Sequence, residues 1–143
     1  MDMNMQNSVA LFNRARQRGL FHQLTNRFAK TDHPLLDLEE VVGRKTYSQR
    51  YGGIKSVDIR LIRGTLGTKG LDFDHHFHPL TDRIRDRWVS VAKAREENVP
   101  LDVLRLIQIG GSYFVVDGHH RISVARALGE SAVDAEVTVI DVG

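Results

Sequence analysis

Hydrophobic and polar positions along the 143-residue chain alternate between helical and strand periods. Val9, Phe12, Leu20, Leu24 and Phe28 recur at partial helical spacing. They predict a helix that Ser8 caps and that runs to about Lys30, with Gly19 dividing it into two shorter helices or merely weakening it. Asp32-His33-Pro34 breaks the pattern. Leu35 to Val42 reads as a helical turn or two, and Gly43 to Gly53 as a loop punctuated by Gly52-Gly53. Val57, Ile59 and Leu61 alternate, so Ile54 to Arg63 is a strand. A second helix is predicted over about Thr81 to Glu97, with Thr81 as its N-cap and Ile84, Trp88, Val91 and Ala92 on its inner face. Leu101 to Ile109, a Gly110-Gly111 hairpin turn and Tyr113 to Val116 form an antiparallel pair. A helix over His119 to Leu128 and a strand over Val133 to Val142 complete the order.

The densest chemistry sits where the strand at Tyr113 to Val116 stops at Asp117-Gly118-His119-His120-Arg121 and a helix begins. Such a junction gathers outward N–H groups and the positive end of a helix dipole. Gly118 permits a tight bend, Arg121 offers a bidentate guanidinium, and His119 and His120 donate hydrogen bonds. Ser123 either adds a hydroxyl or lies on the helix surface. Asp117 caps the helix, holds a magnesium ion or orients a histidine. Together these residues suit an anion, above all a phosphate.

Other segments are less specific. Gly64 to Gly70 is rich in glycine and carries Lys69, which suits a phosphate, yet it lacks the Gly-Lys-Ser/Thr ending of a Walker loop. In Asp72-Phe73-Asp74-His75-His76-Phe77-His78, the two phenylalanines read as buried anchors. On an extended segment His76 and His78 share a face and are weak metal-ligand candidates, without a fixed-spacing signature. Arg83 and Arg87 lie one helical turn apart and reach one phosphate chain or, beside Asp82 and Asp86, form a solvated face.

Composition narrows the options. The absence of cysteine excludes a disulfide framework, a thiolate nucleophile and cysteine-ligated metal. A net charge of +2 is too small to argue for nucleic acid by itself. Met1 to Ser8 has no apolar core for a secretory signal, and no apolar run approaches a membrane span, so a cytoplasmic protein is expected. The arginines at 14, 16, 18 and 27 give the first helix a basic face, either solvated or bound to nucleic acid.

The order helix, strand, Gly-Gly, strand, Asp-Gly-His-His-Arg, helix, strand resembles the ParB/sulfiredoxin superfamily, from about Val57 to Val139. The resemblance is sharpest at Pro100 to Val103 and Phe114 to Ala125. It implies an α+β domain with a small mixed or antiparallel sheet of four to five strands surrounded by helices, over residues 51–143. An extra helical segment at 1–50 would pack on the body or mediate a homodimer. In sulfiredoxins the turn reads Gly-Gly-Cys-His-Arg. His119 stands where the nucleophilic cysteine would be, so sulfinic-acid reduction is not expected. The resemblance implies that His120 and Arg121 face ATP phosphates. In ParB proteins the turn reads Gly-Glu-Arg-Arg and binds CTP, and His119 here replaces the acidic residue. The helix-turn-helix that gives ParB its DNA specificity lies beyond this domain and is not expected here. Free-serine kinases of the same fold carry a closer Asp-Gly-His-x-Arg turn, and their chemistry needs a carboxylate base, for which Asp72, Asp74 and Asp117 are candidates.

The expectation is therefore a module that binds ATP or CTP, with magnesium, at Gly118, His119, His120, Arg121 and Ser123, closed from the side by Lys69. The alternatives are a small-molecule kinase or other phosphotransferase, and a DNA-associated partitioning or regulatory module.

Overall fold

Three helices and a mixed sheet make up the described part of the chain, a computed structural model covering residues 3–29, 36–37, 43, 47–66 and 72–142. Helix α1 (Met3–Ala29) leads. Strands β1 (Leu36–Asp37), β2 (Tyr47–Asp58) and β3 (Ile62–Thr65) follow, the last two joined by a 3-10 turn at Ile59–Leu61. Then come helix α2 (Arg85–Glu96), strands β4 (Leu104–Ile109) and β5 (Ser112–Asp117), helix α3 (His119–Ala127) and strand β6 (Ala132–Val142). The sheet order is β1-β3-β5-β4-β6-β2, five longer strands with the two-residue β1 at one edge. β5 pairs in parallel with β3 and antiparallel with β4, β6 in parallel with β4 and antiparallel with β2. The α+β class expected from the sequence is thus observed.

The boundaries differ from the sequence reading for identifiable reasons. Ser8 does not cap α1: the helix starts at Met3, and Ser8 is buried in its interior. Gly19 does not divide it. A Cβ there would sit 3.0 Å from both His78 Cβ and the Pro79 carbonyl oxygen, so the glycine allows a close helix–backbone approach. Residues 36–37 are extended rather than helical, because they find a partner in β3 at Gly64 and Thr65. Gly52 and Gly53 lie inside β2, not in a loop. The register against β6 shifts between Tyr51 and Gly53, and Gly53 has a φ of 81°. The glycine pair therefore marks a β-bulge on an edge strand. Thr81 does not cap α2, whose N-cap is Ile84; the Thr81 hydroxyl donates instead to Asp72.

Burial follows the periodicities. Leu106, Val115, Ala135 and Val137 of the sheet meet Leu11, Phe12 and Ala15 of α1, Trp88 and Ala92 of α2, and Ile122, Val124 and Ala125 of α3 in one core. The N-terminal helix is thus part of the main body's core through its first half. The Phe12 and Trp88 rings pack tilted, 5.4 Å apart.

One polar relay crosses this core. Trp88 Nε1 donates to Ser123 Oγ at 2.8 Å, and Ser123 Oγ donates to the Phe77 carbonyl. It joins α2, α3 and the segment at 72–80, all at buried groups. A buried polar group left without its partner costs about 1–3 kcal/mol. Ser123→Ala strands both the indole N–H and the carbonyl. It should lower unfolding free energy by about 2–4 kcal/mol, read from urea denaturation at unchanged m-value. A loss under about 0.5 kcal/mol would show that the relay is dispensable.

Candidate functional site

The site grows from the junction of β5 and α3. Gly118 is the N-cap of α3 with φ 111° and ψ 25°, a left-handed conformation that a side-chain-bearing residue adopts at a cost. A Cβ built there would lie 1.9 Å from Leu104 Cδ2 and 3.2 Å from its Cγ. Backbone conformation and lack of space thus independently require glycine. No side chain caps the helix, so Asp117 does not fill that role; it ends β5 with its carboxylate exposed. The first bond of α3 runs from the Ile122 N–H to the Gly118 carbonyl. The N–H groups before Ile122 point outward along the helix axis, as helix geometry dictates.

A cleft of ≈ 330 Å³ opens at this helix end. Gly118, His120 and Arg121 line it on the α3 side, Asp117 at the strand end, and Arg87 across from α2. Val91, Leu101, Val103 and Phe73 supply an apolar wall. The volume and the mixture of apolar lining with a few convergent polar groups suit a small ligand. Arg87 is exposed and makes no ion pair among the described residues. Arg83, weighed with it from the sequence, is already engaged: its Nη2 is 2.7 Å and its Nε 2.9 Å from Asp72 Oδ1. Arg121 donates through Nη1 to the Asp102 carbonyl and is in no internal ion pair among the described residues. Its guanidinium lines the cleft together with the carboxylate-bearing Asp102 and Asp117.

Other expected residues point elsewhere. Ser123 does not reach the cleft, because its hydroxyl is spent between Trp88 and Phe77. His119 borders the cleft but is 3% exposed; its Nε2 shares a hydrogen bond with Thr65 Oγ1 and its ring stacks on Phe73 at 6.2 Å. It acts as a clasp between α3 and the end of β3. His120 sits edge-on to the same Phe73 ring, 5.4 Å away. Lys69 lies outside the described residues.

The three carboxylates separate clearly. Asp72 lines the cleft but is neutralised by Arg83. Asp74 is an anchor of the 72–80 turn and does not line the cleft. Its Oδ1 accepts from the amides of His76 and His78 at 2.9 Å each, and Oδ2 lies 2.9 Å from His78 Nδ1. Burial alone would push its pKa up, but the hydrogen bond and charge of His78 and the two amides outweigh that and hold it below the ordinary value. Of the three, only Asp117 is exposed at the cleft with no side-chain partner among the described residues, and a fourth carboxylate, Asp102, also lines the cleft and is exposed.

The 72–80 segment is therefore a tight turn rather than an extended run, closed by Asp74 N–H to the His78 carbonyl and by a bridge between Phe73 and Pro79. Phe77, with φ 61°, is buried as the sequence implied, as is Phe73. His76 and His78 do not share a strand face. Among the described residues no three histidine, aspartate or glutamate side chains form a metal-holding group. No helix there is long and apolar enough to cross a membrane.

Sequence reasoning undervalued Arg87 and missed the apolar wall. Its signal was available in the i, i+4 pair Arg87–Val91 on α2, facing the Leu101–Val103 segment. No family model matches the chain, and no curated protein or solved structure matches it.

Two outcomes follow from this geometry. Gly118→Ala should cost about 2–4 kcal/mol, combining left-handed strain with a clash on Leu104; an unfolding free energy within 0.5 kcal/mol of the parent would refute the bend's strictness. Asp74, with its folded pKa depressed, contributes stability present above its unfolded value of about 3.9 and lost as pH falls through the folded value. Unfolding free energy measured from pH 6 downward should therefore decline in the acid range, and Asp74→Asn should flatten that decline. An unchanged acid limb in the variant would show that Asp74 does not carry it.

Proposed function

We propose that the cleft binds a nucleotide through its phosphates, in the manner of a ParB/sulfiredoxin-like domain, with ATP or CTP and magnesium as the natural ligands. The observation that carries this reading is the left-handed Gly118 bend, which aims the start of α3 into a cleft bordered by Arg87 and Arg121. Outward amides and the helix dipole favour negative charge there. A phosphate oxygen replaces the Asp102 carbonyl as acceptor for Arg121, exchanging a neutral acceptor for a charged one. Arg87 closes on the phosphates from α2. The Val91–Leu101–Val103 wall takes the less polar part of the ligand. Asp117 stands where it can hold a magnesium ion against phosphate oxygens.

A second reading, a small-molecule phosphotransferase, is favoured by one feature only. Asp117 is the one candidate carboxylate not already engaged among the described residues. In that role it would accept the proton of an acceptor hydroxyl as that oxygen attacks a terminal phosphoryl group.

Thermal denaturation with millimolar ATP, CTP or inorganic pyrophosphate, each with magnesium, tests the binding. At a hundredfold excess over Kd the stabilisation is about 2.7 kcal/mol, a shift of several degrees. Arg121→Ala should weaken binding roughly 10- to 100-fold, as expected for loss of a charge-assisted bond. Absence of any shift with all three ligands contradicts the proposal. Nucleotide turnover that Asp117→Asn abolishes while binding persists selects the phosphotransferase.

A further inference from the structure

Helix α1 carries no acidic residue over its 27 positions, while Arg14, Arg16, Arg18 and Arg27 are basic. Arg16 is spent: its Nε is 3.1 Å from Asp82 Oδ1 and its Nη1 donates to the Pro79 carbonyl at 3.3 Å. Arg14 and Arg18 are exposed and in no ion pair among the described residues. With Phe21 they occupy an i, i+4, i+7 stripe of the helix, and Gln17 lies beside it. This stripe and His78 of the 72–80 turn enclose an open groove of ≈ 520 Å³. Phe21 at its end is 69% exposed.

The groove is held rigidly. Gly19 brings α1 against His78 and Pro79, and Arg16 clamps the same turn. His78 in turn is fixed by Asp74. A wall fixed from both sides is preorganised and loses little on binding.

We infer that this groove docks an acidic, amphipathic peptide segment of a partner protein. An apolar side chain of the partner packs against Phe21, and carboxylates next to it meet Arg18 and Arg14. Charge complementarity selects the sign, since none of the groove's lining residues is a carboxylate. The balance of groups selects the class. An exposed phenylalanine beside arginines matches the composition of a protein interface. Nucleic acid needs a longer track of cations, because each neutralised phosphate contributes only one step of the salt-dependent binding; the groove's lining offers two arginines. The inference does not rest on the nucleotide reading of the cleft.

Selection from a displayed library of random 12-residue peptides on the immobilised full chain tests it. Enriched peptides should carry Asp or Glu flanking a leucine or aromatic residue. The same synthetic peptides should bind the R14E/R18E double variant at least tenfold more weakly and Phe21→Ser at least tenfold more weakly. Circular dichroism of both variants should match the parent. No enrichment of acidic peptides, or enriched peptides that bind R14E/R18E equally well, overturns the inference. A salt-sensitive affinity for a dT oligonucleotide that R14E/R18E abolishes, without peptide binding, overturns it in favour of nucleic acid.

Discussion

The α-carbon of Gly118 lies against the side chain of Leu104, with no room for another atom. Leu104 begins β4 and is itself buried among the sheet and helix side chains, so it cannot retreat. Position 118 must be glycine on that ground as well as for its left-handed conformation, through which the chain leaves β5 and enters α3 at once. The α3 side of the cleft follows from that angle. It places Arg121 beside the Leu101–Val103 segment, aims the helix start outward, and leaves Asp117 at the rim. A helix entered by a looser loop would spread these groups over the surface. Their convergence is a backbone property first and a side-chain property second.

The opposite wall is fixed by buried polar bonds rather than by packing alone. Asp74 gathers the 72–80 turn on one carboxylate, and Ser123 fastens the Phe77 carbonyl of that turn to α3 and to Trp88 of α2. His119 ties the first turn of α3 to Thr65 at the end of β3. Residues that looked like ligand contacts thus hold the walls of the cleft. The same turn presents Asp72 and Phe73 to the cleft and His78 to the α1 groove. The cleft and the groove therefore share one hydrogen-bonded turn.

The strand–bend–helix core of the site was legible because the hydrophobic period changes abruptly at Asp117-Gly118, and because glycine there has one physical meaning. Phe73 and Phe77 were legible as anchors from size and spacing. The inward turn of Ser123 was available in principle: it falls one turn after His119 and next to Ile122 on the buried side of α3. Polarity concealed it. The Gly52-Gly53 bulge was not legible, since a glycine pair reads as a loop until β6, more than 80 residues later, is seen to pair across it. The cap of α2 failed for a local reason: the helix starts after Ile84, and the Thr81 hydroxyl goes to Asp72 of the preceding turn instead. The split between Arg83 and Arg87 also depended on Asp72 and on where α2 begins: Arg83 precedes the helix and pairs with Asp72, while Arg87 lies within it.

The central claim is that the helix start behind Gly118 is built for a phosphate. Amide chemical shifts of the ¹⁵N-labelled chain, followed while ATP is added, test it most directly. The account predicts that the amides of Gly118, His119, His120 and Arg121 move most, saturating together, with smaller changes at Arg87 and Leu101. Shifts confined to other surfaces, or no saturable change at these amides up to millimolar ligand, would contradict it.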